Sequence, residues 1–191
     1  MTTTVALRDH TEAIIRPMTA EDGERSLAFF RALPEEDRVS LRRDVTTPEV
    51  VRERIREMEQ GRAMRLVAVV NGEIVADGSL ELSGHSWEAH IAELRLIVAK
   101  EYQRKGLGVL MAHALYGLAA TAQVEEIVVR MMRSQVAAVN IFQKLGFSEA
   151  VILRDYVKDS RGRKQDLIVM RCTIERLLRG LEGTMTGSAP N

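Results

Sequence analysis

The chain has 191 residues, enough for one domain with a buried core, and its 27 basic and 27 acidic residues give a formal net charge of zero. This balance excludes the global positive field that is typical of nucleic-acid-binding proteins. No apolar stretch approaches the roughly 20 residues that a membrane-spanning helix needs, and residues 1–10 lack a signal-peptide pattern, so we expect a cytoplasmic protein without a membrane partner.

Capping and turn residues divide the sequence into a mixed order of strands and helices. Thr19 and Thr47 are suited to begin helices, and Gly146 is suited to end one. Asn71-Gly72 between two β-rich runs predicts a tight hairpin. The predicted elements are, in chain order, strand 13–16, a helix that begins at Thr19 and ends at Leu33, helix 47–60, strands 64–70, 73–82 and 88–98, a helix from the glycines at 106 and 108 to 122, strand 125–131, helix 136–145, a strand that begins at Phe147, and strands 151–157 and 166–171.

The order of these elements predicts the fold class and the domain limits. Antiparallel strands come first and one strand-helix-strand unit follows, which predicts an α/β (α+β) fold with a mixed, mostly antiparallel sheet and helices on both faces. We expect residues 1–12 to form an N-terminal arm, 13–180 a single domain, and 181–191 a disordered tail. Cys172 is the single cysteine, which excludes an internal disulfide, and it is expected to be a small buried hydrophobe. No Cys/His cluster has zinc spacing, so no metal is expected.

The most informative segment is Gln103-Arg104-Lys105-Gly106-Leu107-Gly108, where an apolar strand gives way to a helical run. Two glycines at a helix opening cost about 1 kcal/mol each relative to alanine, which indicates that something approaches the backbone closely there. The unpaired amides of a first helical turn favour an anion, and Arg104 and Lys105 add positive charge. A P-loop would need Lys and then Ser or Thr after the second glycine, and a dinucleotide fingerprint would need a small residue at Met111, so both are disfavoured.

The remaining pattern, Gln/Arg-x-x-Gly-x-Gly/Ala, resembles the motif of the GNAT superfamily of acyl-CoA N-acyltransferases that holds the pyrophosphate of CoA. The element order over roughly residues 13–172 matches that fold, and Lys144-Leu145-Gly146-Phe147 resembles the end of the family's last helix. The resemblance implies a GNAT fold with a splayed central strand pair, acetyl-CoA as co-substrate and an amine as acceptor. It implies pantetheine contacts from the backbone of Leu96, Ile97 and Val98, and pyrophosphate contacts from Gln103, Arg104, Lys105, Gly106, Leu107, Gly108 and Val109.

The resemblance also suggests a catalytic residue. Glu93, ten residues before Gln103, resembles in position the glutamate that serves as general base, often through water, in bacterial Pat-type protein-lysine acetyltransferases. A strand period of two places Glu93 on the same side as Arg95, so an ion pair is the alternative interpretation, and an adjacent guanidinium would weaken the carboxylate as a base. The backbone N–H of Val98 is implied as the oxyanion donor.

Two positions depart from the common family pattern. The tyrosine that often protonates the leaving thiolate is replaced by Phe142, which cannot donate a proton, and a frequent asparagine is replaced by Gln135. A thiol with a pKa near 8.5 leaves tolerably as thiolate, so no acid is strictly required. Pat-like enzymes resemble this chain in lacking the tyrosine, and Phe142 and Gln135 are expected along the CoA channel.

Several alternatives stay open. The acceptor is a protein lysine, which the Pat resemblance favours, or a small amine, and a homodimer is compatible with the family. Phe142 also suits a noncatalytic acyl-CoA-binding module, and an interaction protein that reuses the fold without CoA is a third hypothesis. His85, His90 and His113 are weak candidates for proton relays, whereas Trp87 and Tyr116 are expected to pack against their surroundings.

Overall fold

A computed structural model describes residues 2–38, 41–82, 84 and 87–177 of the chain. Within them lies one eight-stranded sheet with the strand order β1-β2-β3-β4-β5-β6-β8-β7. The elements are β1 (Thr3–Ala6), β2 (Glu12–Pro17), α1 (Gly23–Ala32), α2 (Glu35–Arg38), α3 (Pro48–Glu59), β3 (Ala63–Val70), β4 (Glu73–Leu82), β5 (Ile91–Val98), α4 (Leu107–Thr121), β6 (Glu126–Met132), α5 (Val136–Lys144), β7 (Ser148–Lys158) and β8 (Lys164–Thr173).

The sheet is antiparallel except at its centre, where β5 and β6 run parallel. These two strands pair at three positions only, Ile91 with Glu126, Ala92 with Ile127 and Glu93 with Val128. Beyond Glu93 they separate, while β5 stays paired with β4 as far as Val98. The predicted mixed sheet with a splayed central pair is therefore confirmed.

Each face of the sheet carries its own hydrophobic core. On one face Leu66 and Ala68 of β3 pack with Met111 and Leu115 of α4 and with the partly buried side of α5. The opposite face buries Val67 and Val69 of the same strand together with Phe29 and Phe30 of α1, and with the apolar side of α3. Alternate side chains of a strand point to opposite faces, so β3 contributes to both cores. The predicted arrangement of helices on both faces is confirmed.

One glycine lets α4 lie close to the sheet. A Cβ atom built at Gly78 of β4 would come within 2.9 Å of Leu115 Cδ1 and 3.3 Å of Met111 Cε. Any larger residue would push the helix away from the strand. This contact fixes α4 against the strand next to β5, and thereby fixes where the helix begins.

Several local predictions are confirmed, and others are corrected by details of the backbone. Asn71 and Gly72 have φ angles of 50° and 85°, which fits the predicted hairpin turn. β5 begins at Ile91 and not at residue 88, because residues 87–90 form turns. The predicted strands from Phe147 and over 151–157 are a single strand, β7, with two register shifts in its pairing to β8.

Two elements fall outside the sequence predictions. β1 was not predicted, because its residues, Thr-Thr-Val-Ala, give too short a pattern; it pairs with β2 within the segment expected to be an arm. The short helix α2 was not predicted either.

The predicted tail, 181–191, and His85 lie outside the described residues. None of the described helices is both long and apolar enough to cross a lipid bilayer.

Candidate active site

An open cleft of ≈ 1130 Å³ lies where β5 and β6 separate. It is bounded by both strands, by α5 and by the first turn of α4, and its β5 wall contains the three residues predicted to bind pantetheine, Leu96, Ile97 and Val98. Beyond Glu93 one edge of β5 is paired with β4 and the other has no pairing to β6. An extended ligand can therefore add to that edge as a strand would.

The predicted glycine segment forms one end of this cleft. Gly106 precedes α4 with a φ of 91°, a left-handed conformation that favours glycine. Gly106 has no side chain, so among the described residues no side-chain hydrogen bond caps the start of α4. The first amides of a helix have no partner inside the helix and carry its positive dipole end, so they suit an anionic group. Leu107 is fully buried beneath the turn, whereas Gly108 lines the cleft.

The polar residues of the segment have different surroundings. Gln103 Nε2 donates to the carbonyl oxygen of Val98 at 3.0 Å, which ties the loop to the end of β5. Arg104, with a φ of 61°, lines the cleft. Lys105 Nζ lies 2.7 Å from Asp9 Oδ2, and the Lys105 carbonyl oxygen accepts a hydrogen bond from the amide of Arg8.

The loop between β1 and β2 thus supports the glycine segment from outside, a contact that was not predicted from the sequence. A contact between residues almost 100 positions apart leaves no local pattern. The Asp9 carboxylate gives Lys105 a partner within the protein, and a role of Lys105 in phosphate binding stays a prediction. Hydrogen bonding to Lys105 lowers the pKa of Asp9 to about 2.

Glu93 is the last residue of β5 that pairs with β6; it does not itself line the cleft, but the three arginines that surround its carboxylate do. Arg42 reaches both oxygens, at 2.6 Å to Oε1 and 2.9 Å to Oε2. Arg95 Nε lies 3.4 Å from Oε1, and Arg130 Nη1 lies 3.5 Å from Oε2. The ion pair with Arg95 is the alternative raised for Glu93 from the sequence, and Arg42 and Arg130 add to it. Burial lowers the pKa of Arg42; Glu93 opposes that shift, whereas Arg95 and Arg130 reinforce it.

The face of the sheet that carries Glu93 also holds a buried polar network. Asp77, Ser79 and Glu81 alternate along β4 and are opposite Ile97, Arg95 and Glu93 of β5. Arg65 of β3 contacts Glu81 at 3.1 Å and Glu57 of α3 at 3.0 Å, and burial lowers its pKa. Arg54 of α3 pairs with Asp77 at 2.5 Å. This network was not predicted from the sequence, although the alternation of Asp77, Ser79 and Glu81 is a signal that could have indicated it.

Gln135 and Phe142 both line the cleft, and each also has a structural role. Gln135 Oε1 accepts a hydrogen bond from the amide of Met132 at 2.9 Å, just before α5. Phe142 packs edge-on against Phe147 with ring centroids 5.2 Å apart. Phe142 therefore supports the turn at the end of α5 while its surface forms part of the cleft wall.

The remaining candidates lie elsewhere. Tyr116 is buried in α4 as expected, and burial raises its pKa. Trp87, expected to pack, is 89% exposed. Burial lowers the pKa of His113, which stacks near Tyr116 rather than lining the cleft. Cys172 is buried as predicted, with Sγ 3.2 Å from the carbonyl oxygen of Gly146, and burial raises its pKa. Among the described residues no group of three or more His, Cys, Asp or Glu side chains could hold a metal ion.

The family model of the acetyltransferase (GNAT) domain matches residues 32–158, which include α3, the splayed strands and the glycine segment. The chain belongs to the GNAT acetyltransferase family. Over 79 residues it is 32% identical to the [ribosomal protein bS18]-alanine N-acetyltransferase of Salmonella typhimurium, a match that covers 41% of this chain and 53% of that protein. The chain thus spans about half the length of this relative.

Solved GNAT structures share the fold along nearly their whole length. The GNAT domain of S. lividans PAT superimposes with a TM-score of 0.73 at 19% identity, over 90% of this chain and 96% of that one. RimJ of Mycobacterium smegmatis, solved in complex with CoA-disulfide, superimposes with a TM-score of 0.72 at 18% identity, over 94% and 93%. The family and fold inferred from the glycine segment and from residues 144–147 are confirmed.

Proposed function

We propose that this protein transfers an acetyl group from acetyl-CoA to an amine of another protein. The observation that carries the proposal is the uncapped N-terminus of α4 at one end of the gap between β5 and β6. Acetyl-CoA supplies the acetyl group as an activated thioester. The chain supplies helix amides and Arg104 for its phosphates, the unpaired edge of β5 for an extended arm, and an apolar wall that includes Phe142.

The similarity to a ribosomal-protein alanine N-acetyltransferase supports a protein acceptor. The sequence favoured lysine, whereas an N-terminal α-amine is the other acceptor that this relative suggests. The two amines differ in acidity, since an α-amine has a pKa of about 8 and a lysine one of about 10.4. An α-amine therefore needs a weaker base to become neutral at neutral pH.

Glu93 is the proposed proton acceptor, acting through water. It lies just beyond the cleft, where β5 and β6 are still paired, on the face where α1 and α3 pack and opposite the face covered by α4. Its three guanidinium neighbours, Arg42, Arg95 and Arg130, hold the carboxylate in one position. The backbone N–H of Val98 stays the proposed oxyanion donor.

The deciding experiment measures release of free thiol from acetyl-CoA by the purified chain. The acceptors are a peptide with a free N-terminal alanine and no lysine, an Nα-acetylated peptide with one lysine, and a small primary amine. Turnover with either peptide supports a protein acetyltransferase. Turnover with the small amine alone would instead indicate that the acceptor is a small molecule. Heat on titration with CoA without any turnover would favour a noncatalytic acyl-CoA-binding module. No heat at high micromolar CoA would favour an interaction protein.

A further inference from the structure

We infer that the buried pair Arg54–Asp77 holds the acceptor, and that it recognises an α-amine together with the carbonyl group of the same residue. This inference rests on the proposed function and names its substrate class. The pair joins α3 to β4: Arg54 Nη2 lies 2.5 Å from Asp77 Oδ1, and the two side chains are only 8% and 6% exposed. The Arg54 guanidinium also lies over the ring of Phe30, 4.7 Å from its centroid.

One atom on each side of this ion pair is left without a partner. Arg54 Nη1 and Asp77 Oδ2 are buried, and neither has a hydrogen bond to any other described residue. Both residues line the cleft, as do Phe30 and Leu41 next to them. Buried polar groups in proteins are almost always paired, so an unpaired donor beside an unpaired acceptor in a cleft needs an explanation. A bound group with one donor and one acceptor would satisfy both.

The position of the pair suits the acceptor and not the acetyl donor. Asp77 is opposite Ile97 across the β4–β5 ladder, and its side chain lies on the face packed by α1 and α3. The glycine segment and α4 pack on the other face. An acceptor held at Asp77 therefore approaches the gap between β5 and β6 from the side opposite α4.

The chemistry of the two unpaired atoms distinguishes between amines. Asp77 Oδ2 can accept a hydrogen bond from an amine, and Arg54 Nη1 can donate one to a carbonyl oxygen. In the first residue of a polypeptide the amine and the carbonyl are attached to the same α-carbon, so one residue can meet both atoms. A lysine amine ends a chain of four methylene groups and has no carbonyl near it. The pair thus selects a polypeptide N-terminus over a lysine side chain.

An amine at Asp77 is separated from Glu93 along the sheet. Glu93 is opposite Glu81, which lies four residues from Asp77 on β4, or about 13 Å at the usual rise of a strand. One bridging water cannot span that distance, so proton transfer from the held amine to Glu93 needs a chain of several waters. Asp77 and Arg54 contact the acceptor in this arrangement, whereas Glu93 acts at a distance.

The test compares two peptides in the wild-type protein and in a double variant. The peptides have a free N-terminal alanine, and one of them carries an (E)-alkene in place of its first peptide bond, which removes the carbonyl but keeps the shape. The variant Arg54→Met/Asp77→Val removes both partners, a change that buried ion pairs often tolerate without loss of stability. Thiol release gives kcat/KM, and calorimetry with CoA reports whether the variant is folded and binds CoA.

We expect the wild type to prefer the natural peptide at least tenfold, and the double variant to lose that preference while its Kd for CoA changes less than twofold. Equal use of both peptides by the wild type, or better use of an Nα-acetylated lysine peptide, would overturn the inference but leave the acetyltransferase proposal standing. If the double variant fails to bind CoA, the comparison of the two peptides in the wild-type protein alone tests the inference. Absence of turnover with every amine would instead reject the proposed function.

Discussion

Glu93 is the side chain on which the proposed chemistry depends most. The variant Glu93→Gln keeps the shape but removes the charge, so we expect kcat to fall about 100-fold, within the usual range for loss of a general base. The Kd for CoA should stay the same, because the glycine segment is at the other end of the cleft. Turnover should recover partly at high pH, where more of the amine is already neutral. Steady-state thiol release over a range of pH provides the measurement.

Glu81→Gln is the matched control for that variant. Glu81 is on the same face, opposite Glu93, and contacts Arg65 and Arg95. Its loss disturbs the same arginine network without removing the proposed base, so kcat should change by less than about threefold. Equal losses of kcat in the two variants would instead indicate that Glu93 only neutralises its arginine neighbours.

The buried carboxylate of Asp22 leads to a separate prediction about how stability depends on pH in acid. Its side chain is fully buried, and Arg16 donates to both oxygens at 2.7 Å. These hydrogen bonds lower its pKa to about 2, from about 3.9 in an unfolded chain. The ionised form is therefore favoured by folding, which contributes about 2 kcal/mol above pH 4 and loses that contribution as the pH falls to about 2.

Asp22→Asn should lower the free energy of unfolding at pH 7 by at least about 2 kcal/mol, and should flatten its dependence on pH between 4 and 2. Urea denaturation at a series of pH values measures both effects. Glu24→Gln, an exposed change in the same helical turn, should leave the curve unchanged. An unaltered slope in Asp22→Asn would show that other carboxylates cause the acid sensitivity.

For individual residues, the sequence predicted only those contacts that a local pattern can show. The period of a strand predicted that Glu93 and Arg95 share a side, and the ion pair between them follows. Arg42 and Arg130 are 51 and 37 positions from Glu93, so their approach depends on tertiary packing. The pair Arg54–Asp77 joins a helix to a strand 23 positions away and was missed for the same reason.

Helix α4 contains two glycines that differ in what surrounds them. A Cβ at Gly108 would make an ordinary contact with Val98 Cγ2 at 3.7 Å and would project into the cleft wall, whereas a Cβ at Gly117 would meet nothing within 4 Å. Alanine favours a helix over glycine by up to about 1 kcal/mol. We therefore expect Gly108→Ala and Gly117→Ala to raise the free energy of unfolding similarly, by about 0.5–1 kcal/mol.

Of the two alanine variants, only Gly108→Ala should weaken CoA binding, by severalfold. Gly108→Leu should weaken it further. Thermal denaturation and calorimetric titration with CoA measure the two properties separately. If Gly117→Ala weakens CoA binding as much, the cause is a general change in α4 and not a narrower cleft.

Elements with strong local signals were the ones predicted correctly. The hairpin at Asn71-Gly72 and the end of α5 at Gly146 depend on residues that favour positive φ, and both have it. β1 was missed because four residues carry too little periodicity, and it forms by pairing with β2. The register shifts within β7 involve pairing with β8, which no property of either strand alone specifies.

At the scale of the whole molecule, the three-position ladder between β5 and β6 joins two groups of strands within the described sheet, β1–β5 and β6–β8. Amides of residues 94–98 that point away from β4 should exchange with solvent quickly in the free protein. Saturating CoA should slow their hydrogen exchange at least tenfold, since the proposed pantetheine contacts use this edge. Val67 and Val69, buried in β3, should show no change. Exchange measured by NMR or mass spectrometry with and without CoA tests this, and unchanged rates at 94–98 would contradict the binding mode.

The fold as a whole was accessible from sequence because two separated motifs and the element order agreed. The proposed acceptor side could not be predicted in this way, since its polar network draws on α3, β3, β4 and β5 together. The proposed CoA site is built from one loop and one strand and leaves a readable pattern, whereas a site assembled from four elements does not.

The two outer strands of the sheet also determine how the molecule can meet copies of itself. β1 is only four residues long, and β7 is interrupted by two register shifts and a positive φ of 51° at Asp155. Short or irregular edges are poor templates for pairing with another chain, and charged side chains such as Arg154 and Lys158 of β7 would have to lose water to pair with a second copy. Growth of the sheet from molecule to molecule is thereby disfavoured, so a solution kept concentrated or warmed should resist fibril formation through these edges.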